Sequence, residues 1–375
     1  MSLRKTSRRN MKISDITQYL EGIAPLSLQE DYDNSGLIVG EPHTLVTAAL
    51  ISLDCTEAVI DEAISKGCNL VISHHPIVFK GLKRFNKKNY VERAVMKAIK
   101  HDIALYAIHT NLDHVSGGVN AKICEKLGLQ NMQILSPKKN LLKKLVTFVP
   151  LCHVERVRNA VFQVGAGHIG NYSDCSFNVT GTGTFKAGEN AGPFAGKVNE
   201  LHHEEEVRVE TIYPDYLERK VLVALLEAHP YEEVAYDLYP LSNSFYQAGA
   251  GMVGTLQTAT DEMEFLQFAK SALGARVIRH TALRGNPVRR VAVCGGSGSF
   301  LLQAAISAGA DVFITADFKY HEFFDAEGKI VISDMGHFET EQFTQELLFD
   351  IIKKKFPNFA IHLTAIDTNP INYLI

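Results

Sequence analysis

Apolar and polar positions alternate along the chain with a period that changes twice. Over residues 11–24, Ile13, Ile16, Leu20 and Ile23 fall three and four apart, which predicts an amphipathic helix with one buried stripe. Short apolar runs then alternate with helical stretches. Strands are expected over 48–53, 70–73 and 103–107, and helices over 56–65, 91–100 and 119–127. Ala58, Val59, Ala63 and Ile64 form the inward side of the 56–65 helix. Strands alternating with helices imply right-handed crossovers and a mainly parallel sheet. In such sheets ligands collect beyond the C-terminal strand ends.

The pattern changes between about 137 and 244. Strands over 144–150, 175–182, 207–212 and 234–241 and helices over 153–164 and 216–228 give the order β-α-β-β-α-β, that of a ferredoxin-like α+β module. Near Gly249 the α/β pattern resumes, with helices over 265–273, 301–308 and 342–353 and strands over 291–294, 312–315 and 330–333. A last strand over 360–363 completes the sheet. The chain thus reads as an α/β core in two halves, residues 11–136 and 245–375, interrupted by an inserted domain over 137–244. Residues 1–10, with Arg4, Lys5, Arg8 and Arg9, are expected to form a disordered tail.

Composition narrows the function classes. A chain of 375 residues has room for two or three domains. A formal net charge of −4 gives no basic footprint for nucleic acid. No apolar run reaches membrane-span length, and the N-terminus lacks the apolar stretch of a secretory signal, so a cytoplasmic location is expected. The six cysteines are scattered without a C-x-x-C pair, as suits reduced thiols rather than disulfides or a structural zinc site.

The chemistry gathers at strand ends. Leu70–Ser73 runs directly into His74, His75 and Pro76, and Pro76 stops the ladder because it has no N–H. Side chains alternate along a strand, so both histidines face one cleft only where strand becomes loop. The next strand ends in His109-Thr-Asn-Leu-Asp113-His114, and Asp54 follows the first. In the polar loop Asp31-Tyr-Asp-Asn-Ser-Gly-Leu37, Asp33 and Asn34 can turn the chain or line a site, and local sequence favours an Asx turn. The glycine-rich stretch 181–193 lacks the order of a phosphate loop and reads as a mobile hairpin tip or interaction loop. Gly295-Gly-Ser-Gly-Ser299 is either an anion cradle or a tight turn. Asp317 and His321 follow the 312–315 strand, and His337 and Glu341 stand four apart at a helix start, on one face.

Taken singly, each of these is also what a solvated turn looks like. Together, His74, His75, His337, Asp113 and Glu341 make a mixed N/O donor set suited to zinc, iron or manganese. Five ligands exceed the three of a mononuclear catalytic zinc site, whereas two metals bridged by a carboxylate use them all. His109, His114 and His321 are candidates for orienting ligands or moving protons.

Asp33-Asn-Ser-Gly-Leu-Ile-Val-Gly40, Ser73-His-His-Pro76, His109-Thr-Asn-Leu-Asp113 and Gly336-His-Phe-Glu-Thr-Glu341 resemble the family named GTP cyclohydrolase 1 type 2 homologues, also called Ngg-one-interacting-factor-three-like proteins. The resemblance covers residues 11–375. It implies metal ligands at His74, His75, Asp113, His337 and Glu341 and a toroidal homo-hexamer; the ligand count above gives two metal ions per chain. His229-Pro-Tyr-Glu-Glu-Val-Ala-Tyr-Asp-Leu-Tyr-Pro240 resembles the PII-like or CutA-like module inserted in longer bacterial members. The family name implies a hydrolase acting on GTP, with water attack at C8 of the purine. The alternative is a non-catalytic metal-binding regulator or metal-handling protein whose insert senses small molecules.

Overall fold

The computed structural model describes residues 11–374, so the tail expected over 1–10 lies outside the described residues. The chain divides into two compact units, one up to Ser136 and from Gln247 onward, the other Pro137–Tyr246.

The first unit is mixed α/β with two sheets. The five strands of one sheet lie in the order Gly36–Val39, Ala104–Ala107, Leu70–Ser73, Ala49–Ser52, Ile361–Leu363. Leu70 pairs in parallel with Ala49 on one side and Ala104 on the other. The three central strands are buried at every position, which is why they read as continuous apolar runs rather than alternating ones. Thr56 and Asn89 accept hydrogen bonds from the backbone N–H groups of Val59 and Glu92 and cap the helices Glu57–Ser65 and Tyr90–Lys100. Each cap contributes about 1 kcal/mol. Ile13–Ile23 is helical and buries Ile13, Ile16 and Leu20, three of the four stripe positions. Gly36–Val39 is an edge strand, antiparallel to Ala104–Ala107, where the pattern had suggested only loop.

The second sheet has the order Arg279–His280, Val331–Asp334, Val312–Ala316, Val288–Ser297, Ser244–Thr260, Gln130–Lys139. Its middle strands are parallel. Arg279–His280 and Ser244–Thr260 join it antiparallel. One sheet completed by residues 360–363 is therefore not what forms. Ile361–Leu363 pairs with Ala49–Ser52 of the first sheet. Gln130–Lys139 and Ser244–Thr260 had no strand signal because glutamine, asparagine and proline interrupt the first and glycine, threonine and glutamine the second.

In the second unit the order is β-α-β-β-α-β. Its antiparallel sheet runs Phe177–Lys186, Leu201–Pro214, Leu142–Pro150, Tyr236–Leu241. Helices Val154–Gln163 and Glu218–Ala228 cover one face, burying Val149, Val157, Val207, Val209, Val221 and Leu225. Each such side chain contributes about 1.5–3 kcal/mol. The glycine-rich stretch is not a loose tip. Gly181 and Gly183 lie within a strand, and beyond it Asn199 N–H donates to Ala187 O and Gly192 N–H to Glu232 Oε1. Among the described residues, no helix is long and apolar enough to cross a membrane.

Candidate metal centre

The strand ladder carries the paired histidines into place. His74 N–H and His75 N–H still donate to Ser52 O and Leu53 O, and the chain turns only at Pro76. On the neighbouring strand, Ala104–Ala107 leads through His109 into the short helix Thr110–Asp113. On the second sheet, Val331–Asp334 leads into the short helix His337–Glu341. The turn between them needs Gly336. Its φ is +97°, and an added Cβ would stand 2.3 Å from Glu339 Oε2.

These elements bring His74, His75, Asp113, His337 and Glu341 together. Three groups have donor atoms within 4.8 Å of one another and can hold a metal ion: His75, His337 and Glu341; His74, Asp113 and Glu341; and His74, His75 and His109. Glu341 is common to the first two, and its oxygens divide between them. Oε2 lies 3.0 Å from both His75 Nε2 and His337 Nε2, while Oε1 lies 3.8 Å from His74 Nε2. His74 Nε2 is 3.6 Å from Asp113 Oδ1. Both of these atoms are buried without a hydrogen-bond partner. Buried polar atoms are almost always satisfied, so a cation that accepts both lone pairs fits the pair. The nitrogen and carboxylate donors suit a divalent transition metal.

The opposite ring edges are held by groups to which the sequence had given no such role, Asp54 and Asp317 being read as strand-end carboxylates and Asp33 as a turn residue. His75 Nδ1 meets Asp54 Oδ1 at 2.7 Å, and His337 Nδ1 meets Asp317 Oδ2 at 2.6 Å. His109 Nδ1 meets Asp33 Oδ1 at 2.8 Å, and His74 Nδ1 meets Ile108 O at 2.8 Å. With Nδ1 donating, Nε2 is the atom each ring turns to the cleft and would offer to a cation once it carries no proton. Asp33 does make a local turn contact, from Asn34 N–H, but its other oxygen accepts from Thr110 N–H and Oγ1–H. A signal for two of these carboxylates existed. Asp54 and Asp317 each follow a strand end, on the edge where the histidines stand.

Glu341 also explains the glycines of Gly295-Gly-Ser-Gly-Ser299. They do not form an empty anion cradle. At Gly296 an added Cβ would stand 2.4 Å from Glu341 Oε1, so the strand gives up its side chain to admit the carboxylate. Gly296 N–H donates to Thr340 Oγ1 and Gly295 N–H to Asn120 Oδ1.

Burial shapes the charges here. It opposes the His75 imidazolium, but hydrogen bonds to Asp54 and Glu341 carry the pKa up to about 10. Burial likewise opposes charge on His337, where Glu341 and Asp317 raise the value to about 11. Asp113 is pushed up to about 7 by burial and by the Glu341 charge. Burial also works against the Glu341 carboxylate, yet His337, His74 and His75 hold it well below the usual range.

The donors open into a cleft of about 860 Å³, whose walls include Tyr32, Ile77, Phe79, Tyr90 and Phe300. His114 lines this cleft but both ring nitrogens are engaged, Nδ1 with Leu28 O and Nε2 with Glu30 Oε1. His321 is exposed, stacked on Phe324, and joins none of the three donor groups.

A Halalkalibacterium halodurans protein named "GTP cyclohydrolase 1 type 2 homolog" is 39% identical over 373 residues, covering 97% of this chain and 100% of its own. One of the same name from Bacillus subtilis is 40% identical over 366 residues, covering 96% and 98%. A crystal structure described as a Bacillus cereus protein related to NIF3 superposes with a TM-score of 0.85 at 40% identity, covering 98% of this chain and 100% of that one. The family model Duf34/NIF3 (NGG1p interacting factor 3) matches residues 11–370, and the chain belongs to that family.

Proposed function

We propose that the cluster holds two divalent transition-metal ions, zinc, iron or manganese, and that the protein is a metal-dependent hydrolase acting on a nucleotide-type substrate. The observation that carries this is Glu341, with one oxygen toward each of two donor groups. Such ions, when bound, supply Lewis acidity and activate water for hydrolysis. The chain's own residues do the rest. His74, Asp113, His75 and His337 complete the two groups, with Asp54 and Asp317 fixing the rings that they touch. His109, oriented by Asp33, holds a proton acceptor at Nε2 beside the cluster and suits proton transfer.

Tyr32, Phe79, Tyr90 and Phe300 give the cleft faces on which a purine can stack. Lys80, Lys83, Arg84, Lys87 and Lys88 lie in the exposed segment between Phe79 and Tyr90, a source of cations for phosphates. The name these relatives carry agrees with a GTP-like substrate. In this reading the protein is a cytoplasmic homo-hexamer, and residues 137–244 form a ferredoxin-like, PII-like insert. The β-α-β-β-α-β order supports the latter.

One observation favours a non-catalytic, metal-handling role instead. Among the described residues, no Lys or Arg lines the cleft, so a triphosphate lacks a direct cationic partner there. Turnover separates the two. Protein reconstituted with zinc, manganese or iron(II) is screened against nucleotides and phosphoesters, with His75→Ala as control. Metal-dependent turnover lost in the variant supports the hydrolase. Bound metal without turnover supports metal handling, and absence of bound metal overturns both.

A further inference from the structure

The second unit contains a cavity of about 680 Å³ that the metal centre does not use. It lies on the sheet face opposite Val207 and Val209, where Arg208 stands across from Phe148 and Val179. Its floor is bare backbone. A Cβ added at Gly181 would meet nothing within 4 Å, because the space above that strand position is open. Aromatic rings stand around it. Tyr231 has its centroid 5.9 Å from Phe194 and 6.1 Å from Phe185, and Phe148 lines the same space.

Three glutamates line this cavity; Glu232 and Glu233 are exposed, and Glu206 is the buried one. Glu206 is only 8% exposed. Its Oε1 accepts the Tyr231 O–H at 2.8 Å, and its Oε2 lies over Gly183, where an added Cβ would stand 2.1 Å away. Among the described residues, no Lys, Arg or His nitrogen lies within 4.0 Å of it. Arg208, on the same face, pairs with Glu210 at 3.0 Å, and Lys186 is exposed. Glu232 is already committed to Gly192 N–H. A buried carboxylate with one neutral donor and no counter-charge is costly unless a cation completes it. A flat floor, aromatic walls and an unpaired anion together describe a site for a flat cation.

We propose that this cavity binds a planar aromatic molecule carrying a protonated amine, with its ring over Gly181 and Gly183 beside Phe194 and Tyr231, and its nitrogen on Glu206. The site is independent of the metal centre and of the hydrolase reading.

The test uses the full chain and three naphthalene probes of nearly equal size: 2-naphthylmethylamine, 2-naphthalenemethanol and 2-naphthoate. Their fluorescence is readable because the chain has no tryptophan. The amine should bind saturably and about tenfold or more tighter than the alcohol, with naphthoate weakest. Glu206→Gln should remove the amine's advantage and leave the alcohol little changed. Gly181→Val suits a strand, places its Cβ where nothing lies within 4 Å so that its methyls fill the open floor, and should abolish binding of both. Unchanged metal content and circular dichroism in the variants would place the effect in this cavity. Equal binding of all three probes, amine affinity unmoved by Glu206→Gln, binding retained in Gly181→Val, or no saturable binding would each overturn the assignment.

Discussion

Replacing Glu341 with glutamine keeps nearly the same shape and removes the one charge that two donor groups share. The side chain is buried, with Oε2 3.0 Å from His75 and His337 and Oε1 3.8 Å from His74. Unit charges 4 Å apart at an effective dielectric near 20 interact by about 4 kcal/mol. The amide dipole of glutamine recovers part of that, leaving a loss on the order of 2–3 kcal/mol per ion, or about two decades in affinity. If the carboxylate bridges, both ions weaken together. The assay is competition with a chromophoric chelator plus elemental analysis after purification without chelators. Wild-type protein should carry about two ions per chain, and Glu341→Gln should release both at a chelator concentration that leaves wild type loaded. Loss of one ion alone would make Glu341 a terminal ligand and leave Asp113 as the candidate bridge. Two ions retained at wild-type affinity would refute the bridging role, and the pair would need another ligand.

The carboxylates behind the rings should matter without touching metal: Asp317→Asn is expected to weaken metal binding about 10–100-fold, and chelator titration showing no change would make Asp317 a surface acid. Metal uptake should depend on pH with a definite sign. His75 and His337, raised to about 10 and 11, hold protons at neutral pH in the metal-free protein and must release them to bind. Affinity at the His75–His337–Glu341 group should therefore fall about two decades per unit as pH drops from 9 to 7. At Asp113, raised to about 7, one further proton competes only below that value. Proton-release measurements in unbuffered solution that find none at pH 8 would contradict this. Replacing residues 137–244 with a short Gly/Ser linker should leave a soluble protein that keeps its metals, and insoluble or metal-free product would make the segment part of the core. Light scattering should give a mass near six chains, and a single-chain mass would end the hexamer proposal.

Short-range physics was legible in the sequence. Leu70–Ser73 emerges with the expected bounds because three successive β-favouring apolar residues, followed by a serine and closed by His-His-Pro, have few other uses in a sheet. His337 and Glu341 share a helix face by spacing alone. The five expected donors, drawn from three distant segments, do converge. Tertiary structure decided what depends on partners far along the chain. It chose two sheets in the first unit rather than one, and sent Ile361–Leu363 to Ala49–Ser52, since strand pairing is a long-range choice among edges that look alike locally. It turned Asp33 from a turn residue into the partner of His109, 76 positions away. It gave Gly296 its reason, the Glu341 carboxylate that arrives from another element and leaves no room for a Cβ. A side chain's type limits what it can bind, but which atom stands opposite it is set by packing, and packing is not written in any one stretch of sequence.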